Sequence, residues 1–420
     1  MLDHVKLTRD RLSSRIEENA IVILYSGKPP HKSADQFYAY EPQRNFYYLT
    51  NLQEPNLVFV MIKGQDDFKS YLFIEENTEY IIQWEGARIS KEEASKQSGI
   101  DIENIRYLTQ FESFIGMVMN YARSPFNTPP KHLYLDLYHV GPQEKPIALA
   151  QADWILNNYR ELNVHSVNEH TSYLRMFKSA GEVELLKSAV MHTKVGLNTI
   201  LSSLKTRQNE YQLEADFLHA ITLNGSQGNA FQTIAASGKN ATVLHYVDNN
   251  STLSNDDLIL FDLGAMHDCY CADISRTYPI SGKFTDRQKT LYSIVLDVNK
   301  ACIEFVKPGV TWPELNAYAK KLLIKKTKAI GLIKDDEEIS RYYYHSIGHF
   351  LGLDVHDVGH YHLPFEPGMV ITIEPGLYIA EEGIGIRIED DILVTETGSV
   401  NLSASIIKEI EDIENFMKEA

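Results

Sequence analysis

The chain has 420 residues, 44% apolar and 23% charged, with 57 acidic against 40 basic side chains and a formal net charge of −17. That balance argues against a nucleic-acid partner, because phosphate binding needs a concentrated basic face, and against an anionic membrane surface. The length predicts two or three domains, and the apolar share is enough to build cores.

The first twenty residues carry charges throughout and lack the apolar centre of a signal peptide. No apolar run approaches the roughly twenty residues of a membrane helix. Strand-like runs follow at Ile21–Tyr25, Leu57–Ile62, Tyr71–Ile74 and His132–Leu137, with a helical patch at Lys145–Tyr159. A small α/β domain is therefore expected over residues 1–165. The polar stretch Asn163–Thr171 reads as a linker, and a second domain is expected over residues 172–420. It opens on Ser179 and Glu182, an S-x-x-E capping box before an amphipathic helix to about Ser203. Thr285 with Gln288 and Thr311 with Glu314 open two more, running to about Val306 and Lys328. Strand-rich segments lie at Leu258–Ala265, Tyr270–Pro279, Val370–Ile379 and Gly385–Thr395. The three cysteines, Cys269, Cys271 and Cys302, have neither framework nor CxxC spacing. They suit a reducing compartment, and the protein is expected to be cytoplasmic.

Four acids interrupt apolar strand sequence, where an unpaired carboxylate is costly to bury. In LILFDLGAMHDCYCADISRTY, a hairpin turning at His267–Asp268 sets Met266 opposite Cys269 and Asp262 opposite Asp273. Two like charges so placed repel unless they share a proton or a cation. Two separate surface aspartates would also give this pattern. Glu374 and Glu389 stand in a second candidate hairpin turning near Glu381–Glu382, which brings them to one face. Arg387, two residues before Glu389, shares that face and can reach a neighbouring carboxylate.

Five of the fifteen histidines, His345, His349, His356, His360 and His362, fall in one glycine-containing segment. No H-E-x-x-H motif is present, which argues against a standard zincin. Carboxylates with one histidine suit a hard divalent ion such as Mn²⁺. Four carboxylates suit two ions about 3.5–4 Å apart with bridging ligands. G-x-S-x-G, P-loop and G-x-G-x-x-G signatures are lacking in a usable context.

At these residues the chain resembles the pita-bread metallopeptidases, the superfamily of aminopeptidase P, prolidase and methionine aminopeptidase. Aminopeptidase P, the Xaa-Pro aminopeptidases, is the nearest match. The strings NATVLHY, LILFDLGAMHDCYCADISRTYPISG, HSIGHFLGLDVHDVG, ITIEPGLYI and GIGIRIEDDILVTETG carry the likeness in the family's order. ADQFYAYEPQRNFYYLTNLQEPNLVFVMI and the W-x-G-x-R string at Trp84–Arg88 resemble its smaller N-terminal domain, with Asn51 where relatives often have glycine. The implied fold is a small N-terminal α/β domain followed by an α+β pita-bread catalytic domain.

The resemblance implies five metal ligands. Asp273 and Glu389 bridge two divalent ions, Asp262 completes one shell, and His349 with Glu374 completes the other. The expected ion is Mn²⁺, with Co²⁺, Zn²⁺ or Fe²⁺ as alternatives. His245, His345 and His356 correspond to histidines that bind substrate and handle protons, and Arg387 to a supporting arginine. Tyr378 and Trp84 are implied to line the substrate pocket, whereas His360 and His362 match no functional position.

The implied reaction is hydrolysis of the first residue from peptides with proline second, by a hydroxide between the ions with Glu374 as general base. Prolidase action on Xaa-Pro dipeptides and a non-catalytic peptide-binding pita-bread protein are the alternatives. The family also implies a dimer or tetramer formed through the N-terminal domain.

Overall fold

The computed structural model describes residues 2–419 apart from Asp66, Arg123, Pro125, Asn127, Val140 and Pro142. The chain divides into two units, Met1–Leu174 and Arg175–Ala420.

Uninterrupted apolar runs dictate the centre of the first unit. AIVILY at Ala20–Tyr25 has no polar alternation and is buried along almost its whole length, as a strand covered on both faces must be. It pairs antiparallel with Val58–Lys63 and parallel with His132–Leu135. Phe68–Ile74, Ile105–Tyr107 and Asn163–Ser166 complete a six-stranded sheet. Ile21, Ile23, Val60, Phe73, Leu133 and Leu135 pack on one face against Phe111, Phe114 and Ile115 of the helix Phe111–Val118.

Two expectations change here. The stretch read as a linker is the edge strand Asn163–Ser166, paired with His132–Leu135, followed by the helix Asn168–Met176. An edge strand meets water along one side, so its polar sequence imitates a linker. The patch Lys145–Tyr159 holds two short helices, Ile147–Gln151 and Asp153–Asn158, rather than one. Asn51 ends the helix Arg44–Thr50 with a φ of 58°. Asparagine is the side-chain-bearing residue that best tolerates this left-handed position, which is how it stands in for glycine.

In the second unit all three expected capping boxes form. Ser179, Thr285 and Thr311 accept from backbone N–H groups three residues on, and Glu182, Gln288 and Glu314 reach back. The helices run Ala180–Ser203, Asp286–Phe305 and Trp312–Ala329, joined by Glu210–Leu223 and a terminal Ile410–Glu419. Val190, Leu197, Phe217, Val295, Leu315 and Leu323 share one core with Phe261, Leu263, Ile371 and Ile373 of the strands. Among the described residues, no helix is long and apolar enough to cross a membrane.

Short antiparallel ladders carry the acids. Leu258–Leu263 pairs with Ile274–Pro279 on one side and Ile234–Ser237 on the other. Val370–Ile373 pairs with Asp390–Val394, and Gly376–Ile379 with Ile384–Arg387. Ile373 faces Asp390 and Gly376 faces Arg387, so one register runs through both ladders and sets Glu374 opposite Glu389 in the gap between them. Pro375 stands in that gap, and its carbonyl accepts from Ile388 N–H at 3.3 Å.

The first hairpin has a different register from the expected one. Met266 pairs with Cys271 and His267 with Tyr270, leaving Asp268 and Cys269 as the turn. Both have positive φ, 45° and 64°, the backbone of a type I′ turn, whose twist suits a two-residue hairpin. Asp262 therefore faces Ser275 rather than Asp273. The displacement is two positions along the partner strand, so it leaves Asp273 on the same face.

Candidate metal centre

Each acid arrives from a backbone that cannot easily slip. Asp262 lies inside the central strand of its sheet, and Glu389 N–H donates to the Ser275 carbonyl at 3.0 Å, joining the two hairpins. The segment bearing His349 is sewn to Val370–Ile373. Thr372 N–H donates to the His349 carbonyl at 2.9 Å, and Glu374 N–H to the Ile347 carbonyl at 2.8 Å. Gly348 permits this approach, since a Cβ there would overlap the Thr372 carbonyl oxygen. His349 Nδ1 meets the Phe350 carbonyl at 3.0 Å, which fixes the tautomer and leaves Nε2 facing the acids.

The side chains converge on a cavity of about 320 Å³ lined by all four acids, His349, His245, His345, His356, Arg387 and Tyr361. His349 Nε2 lies 3.3 Å from Asp273 and 3.8 Å from Glu374. Three overlapping groups have donor atoms within 4.8 Å of one another: Asp262, Asp273 and Glu389; His349, Glu374 and Glu389; and Asp273, His349 and His356. Glu389, Asp273 and His349 each belong to two of them, and Glu389 joins the Asp262–Asp273 group to the His349–Glu374 group.

Charge in this cavity is unbalanced. Among the described residues Arg387 is the one guanidinium lining it, and it donates to Asp262 Oδ2 at 2.6 Å, Ser275 Oγ at 2.7 Å and Tyr378 Oη at 3.1 Å. Ser275 Oγ in turn donates to Glu389 at 2.8 Å. Burial and the Asp262 charge hold Asp273 well above the usual carboxylate range, and burial with Asp273 and Glu374 does the same to Glu389. Burial pushes Glu374 up to about 7, against the pull of His349 and Arg387. Asp262 Oδ1 is buried and has no hydrogen-bond partner among the described residues. Crowded carboxylates, a poised imidazole and an orphaned carboxylate oxygen fit divalent cations.

The other expected residues divide. His356 packs edge-on to His349, with ring centroids 4.3 Å apart, and partial desolvation with the neighbouring His349 lowers its pKa. His245 is exposed and lines the cavity. His345 also lines it, yet both its nitrogens are engaged, Nδ1 with the Ser346 carbonyl at 2.7 Å and Nε2 with Tyr378 Oη at 2.8 Å. Burial lowers its pKa to about 4. Tyr378 does not line the cavity. It is buried behind the wall, where its hydroxyl joins His345 to Arg387. Trp84 belongs to the first unit, is 74% exposed, stacks near Tyr80 and is not among the lining residues.

Sequence reasoning missed three supports. Ser275 is signalled only by alternation, being two residues beyond Asp273 on its face. Glu210 is fully buried, and its carboxylate accepts from Ser237 N–H and Oγ, Asn240, Tyr246 and Ser251 N–H at 2.7–3.0 Å. It thereby ties down the loop that carries His245, and no local pattern marks it. Asp357, next to His356, is buried between Arg175 at 2.5 Å and Lys178 at 3.1 Å.

Known proteins share this arrangement. A model of metallopeptidase family M24 matches residues 184–396, and one of the aminopeptidase P N-terminal domain matches residues 6–125. A solved structure from Bacillus anthracis assigned to aminopeptidase P has a TM-score of 0.94 at 45% identity, covering 100% of this chain and 98% of that one. Zn-substituted aminopeptidase P of Escherichia coli in complex with product gives 0.90 at 29% identity, covering 100% and 98%. A Xaa-Pro aminopeptidase of Haemophilus influenzae is 30% identical over 97% of this chain and 96% of its own length. The chain belongs to metallopeptidase family M24, and within it to the metal-dependent Xaa-Pro aminopeptidases of the pita-bread fold.

Proposed function

We propose that the protein removes the first residue from peptides with proline in second position, with two divalent ions held by Asp262, Asp273, His349, Glu374 and Glu389. The observation that carries this reading is that Glu389 joins the Asp262–Asp273 group to the His349–Glu374 group. Asp273 and Glu389 would be shared between the ions, with Asp262 completing the hold on one and His349 with Glu374 the hold on the other. The oxygen-rich donor set favours Mn²⁺. Bound divalent ions supply Lewis acidity, which brings the pKa of a coordinated water down towards about 7.

The chain's own residues orient the reaction and move its protons. Glu374 accepts the proton of the attacking water as its oxygen bonds to the carbonyl carbon of the first residue. Its carboxylate lines the cavity 3.8 Å from His349 Nε2, where it can reach a water held among these groups, as a general base must. His356 donates an N–H to the carbonyl oxygen as negative charge gathers there. When the peptide C–N bond breaks, the leaving imino nitrogen takes a proton from His245, and the proton that Glu374 took from water replaces it, so both groups return to their starting state. Arg387 holds Asp262 and Glu389 in place, directly and through Ser275, and Tyr378 with His345 braces Arg387 from behind.

The test supplies Mn²⁺ and compares a Xaa-Pro-Xaa tripeptide with a Xaa-Pro dipeptide. Release of the first residue from the tripeptide is expected. Cleavage of the dipeptide alone would overturn the aminopeptidase reading in favour of a dipeptidase.

A further inference from the structure

The first unit gathers a second set of ligand-type side chains. Glu17, His132 and His165 each bring one donor atom within 4.8 Å of the other two. They meet at the shared end of three parallel neighbouring strands. Ala20 lies beside His132, and His132 beside Asn163. Glu17 sits just before the first of these strands. His165 lies two residues along the third, on the face that carries His132 and Tyr134, because strand side chains alternate.

His132 Nδ1 is 3.0 Å from His165 Nε2, and Tyr134 stacks on the His165 ring with centroids 4.9 Å apart, fixing its plane. Both imidazoles are partly buried and Glu17 is exposed. Two imidazole nitrogens and one carboxylate oxygen form a donor set that Zn²⁺ takes, with water in the fourth position. Zn–N bonds of about 2.0–2.1 Å set two tetrahedral ligand nitrogens about 3.3–3.4 Å apart. Opening the histidine pair by a few tenths of an ångström therefore admits the ion. The proton between the two nitrogens moves to the other nitrogen of the ring that carries it, so the net proton count is unchanged.

We propose that Glu17, His132 and His165 form a zinc site, built wholly from the first unit, that ties the loop before Ala20 to the edge of the sheet. To test it, the full-length protein and its His165→Ala variant are equilibrated with excess Zn²⁺, freed of unbound metal by gel filtration and assayed for zinc per chain. The unsubstituted protein is expected to retain one more equivalent than the variant, with equal peptidase activity in both. Equal zinc counts in two folded proteins overturn the site. Should the alanine variant fail to fold, Glu17→Gln changes an exposed residue instead. One class of Zn²⁺ binding is then expected to weaken about tenfold or more, and an unchanged titration overturns the proposal.

Discussion

Glu389 and Asp390 are consecutive, buried and acidic, yet they sit at opposite extremes of proton affinity. Strand alternation sends them to opposite faces. Asp390 meets Arg276 at 2.8 Å, Lys408 at 2.6 Å and Ser403 at 2.8 Å, and these partners hold its carboxyl far below the usual range despite burial. Glu389 meets three other acids, with Ser275 as its side-chain donor, and is held far above that range. Asp357 repeats the Asp390 pattern, closed by Arg175 and Lys178. At Asp390 and Asp357 the chain supplies the balancing cations itself. Where four acids share one arginine, the balance must come from outside.

The comparison can be broken at several points. Glu374→Gln keeps shape and removes the base, so turnover should fall about 10²–10⁴-fold in folded protein with its metal content verified. Near-normal rates would remove Glu374 from that role. Asp390→Asn strands Arg276 and should cost about 3–5 kcal/mol of unfolding free energy in denaturant melts. Asp273→Asn in chelator-treated protein should cost nothing or stabilise, because it removes a buried ionisable carboxyl from a crowded acidic cluster. Equal losses in the two variants would erase the contrast between the faces.

The smallest effect is a pH dependence. In chelator-treated protein the folded state raises Glu374 from 4.5 to about 7, so the acid's contribution is fully present below pH 4.5 and is lost as pH rises through about 7. Glu374→Gln stays neutral throughout. Its unfolding free energy should therefore gain on that of the unsubstituted protein between pH 4.5 and 7, then level off. A flat difference would remove carboxylate crowding as the cause.

How much of this was legible in the sequence depends on distance along the chain. Glu374 and Glu389 were placed together because one regular hairpin, with its tip at Glu381–Glu382, sets their register. Asp262 and Asp273 were placed on the right face but in the wrong register. Nothing in HDC announces that Asp268 and Cys269 adopt positive φ, a job usually marked by glycine or asparagine. Among five clustered histidines, spacing alone did not single out His349; family resemblance did. Pairs such as Asp357 with Lys178, 179 residues apart, leave no local trace. The three capping boxes were legible to the residue because a capping box spans only four positions.

The raised proton affinity of Asp273 and Glu389 has a consequence for loading the enzyme. Charge counting from composition gives −17 with every acid ionised, but burial and mutual repulsion work against full ionisation of these acids. Ligation requires the carboxylates bare, so each incoming dication displaces protons into the solvent. Metal uptake is then coupled to proton release, and apparent metal affinity rises as the solution becomes more alkaline.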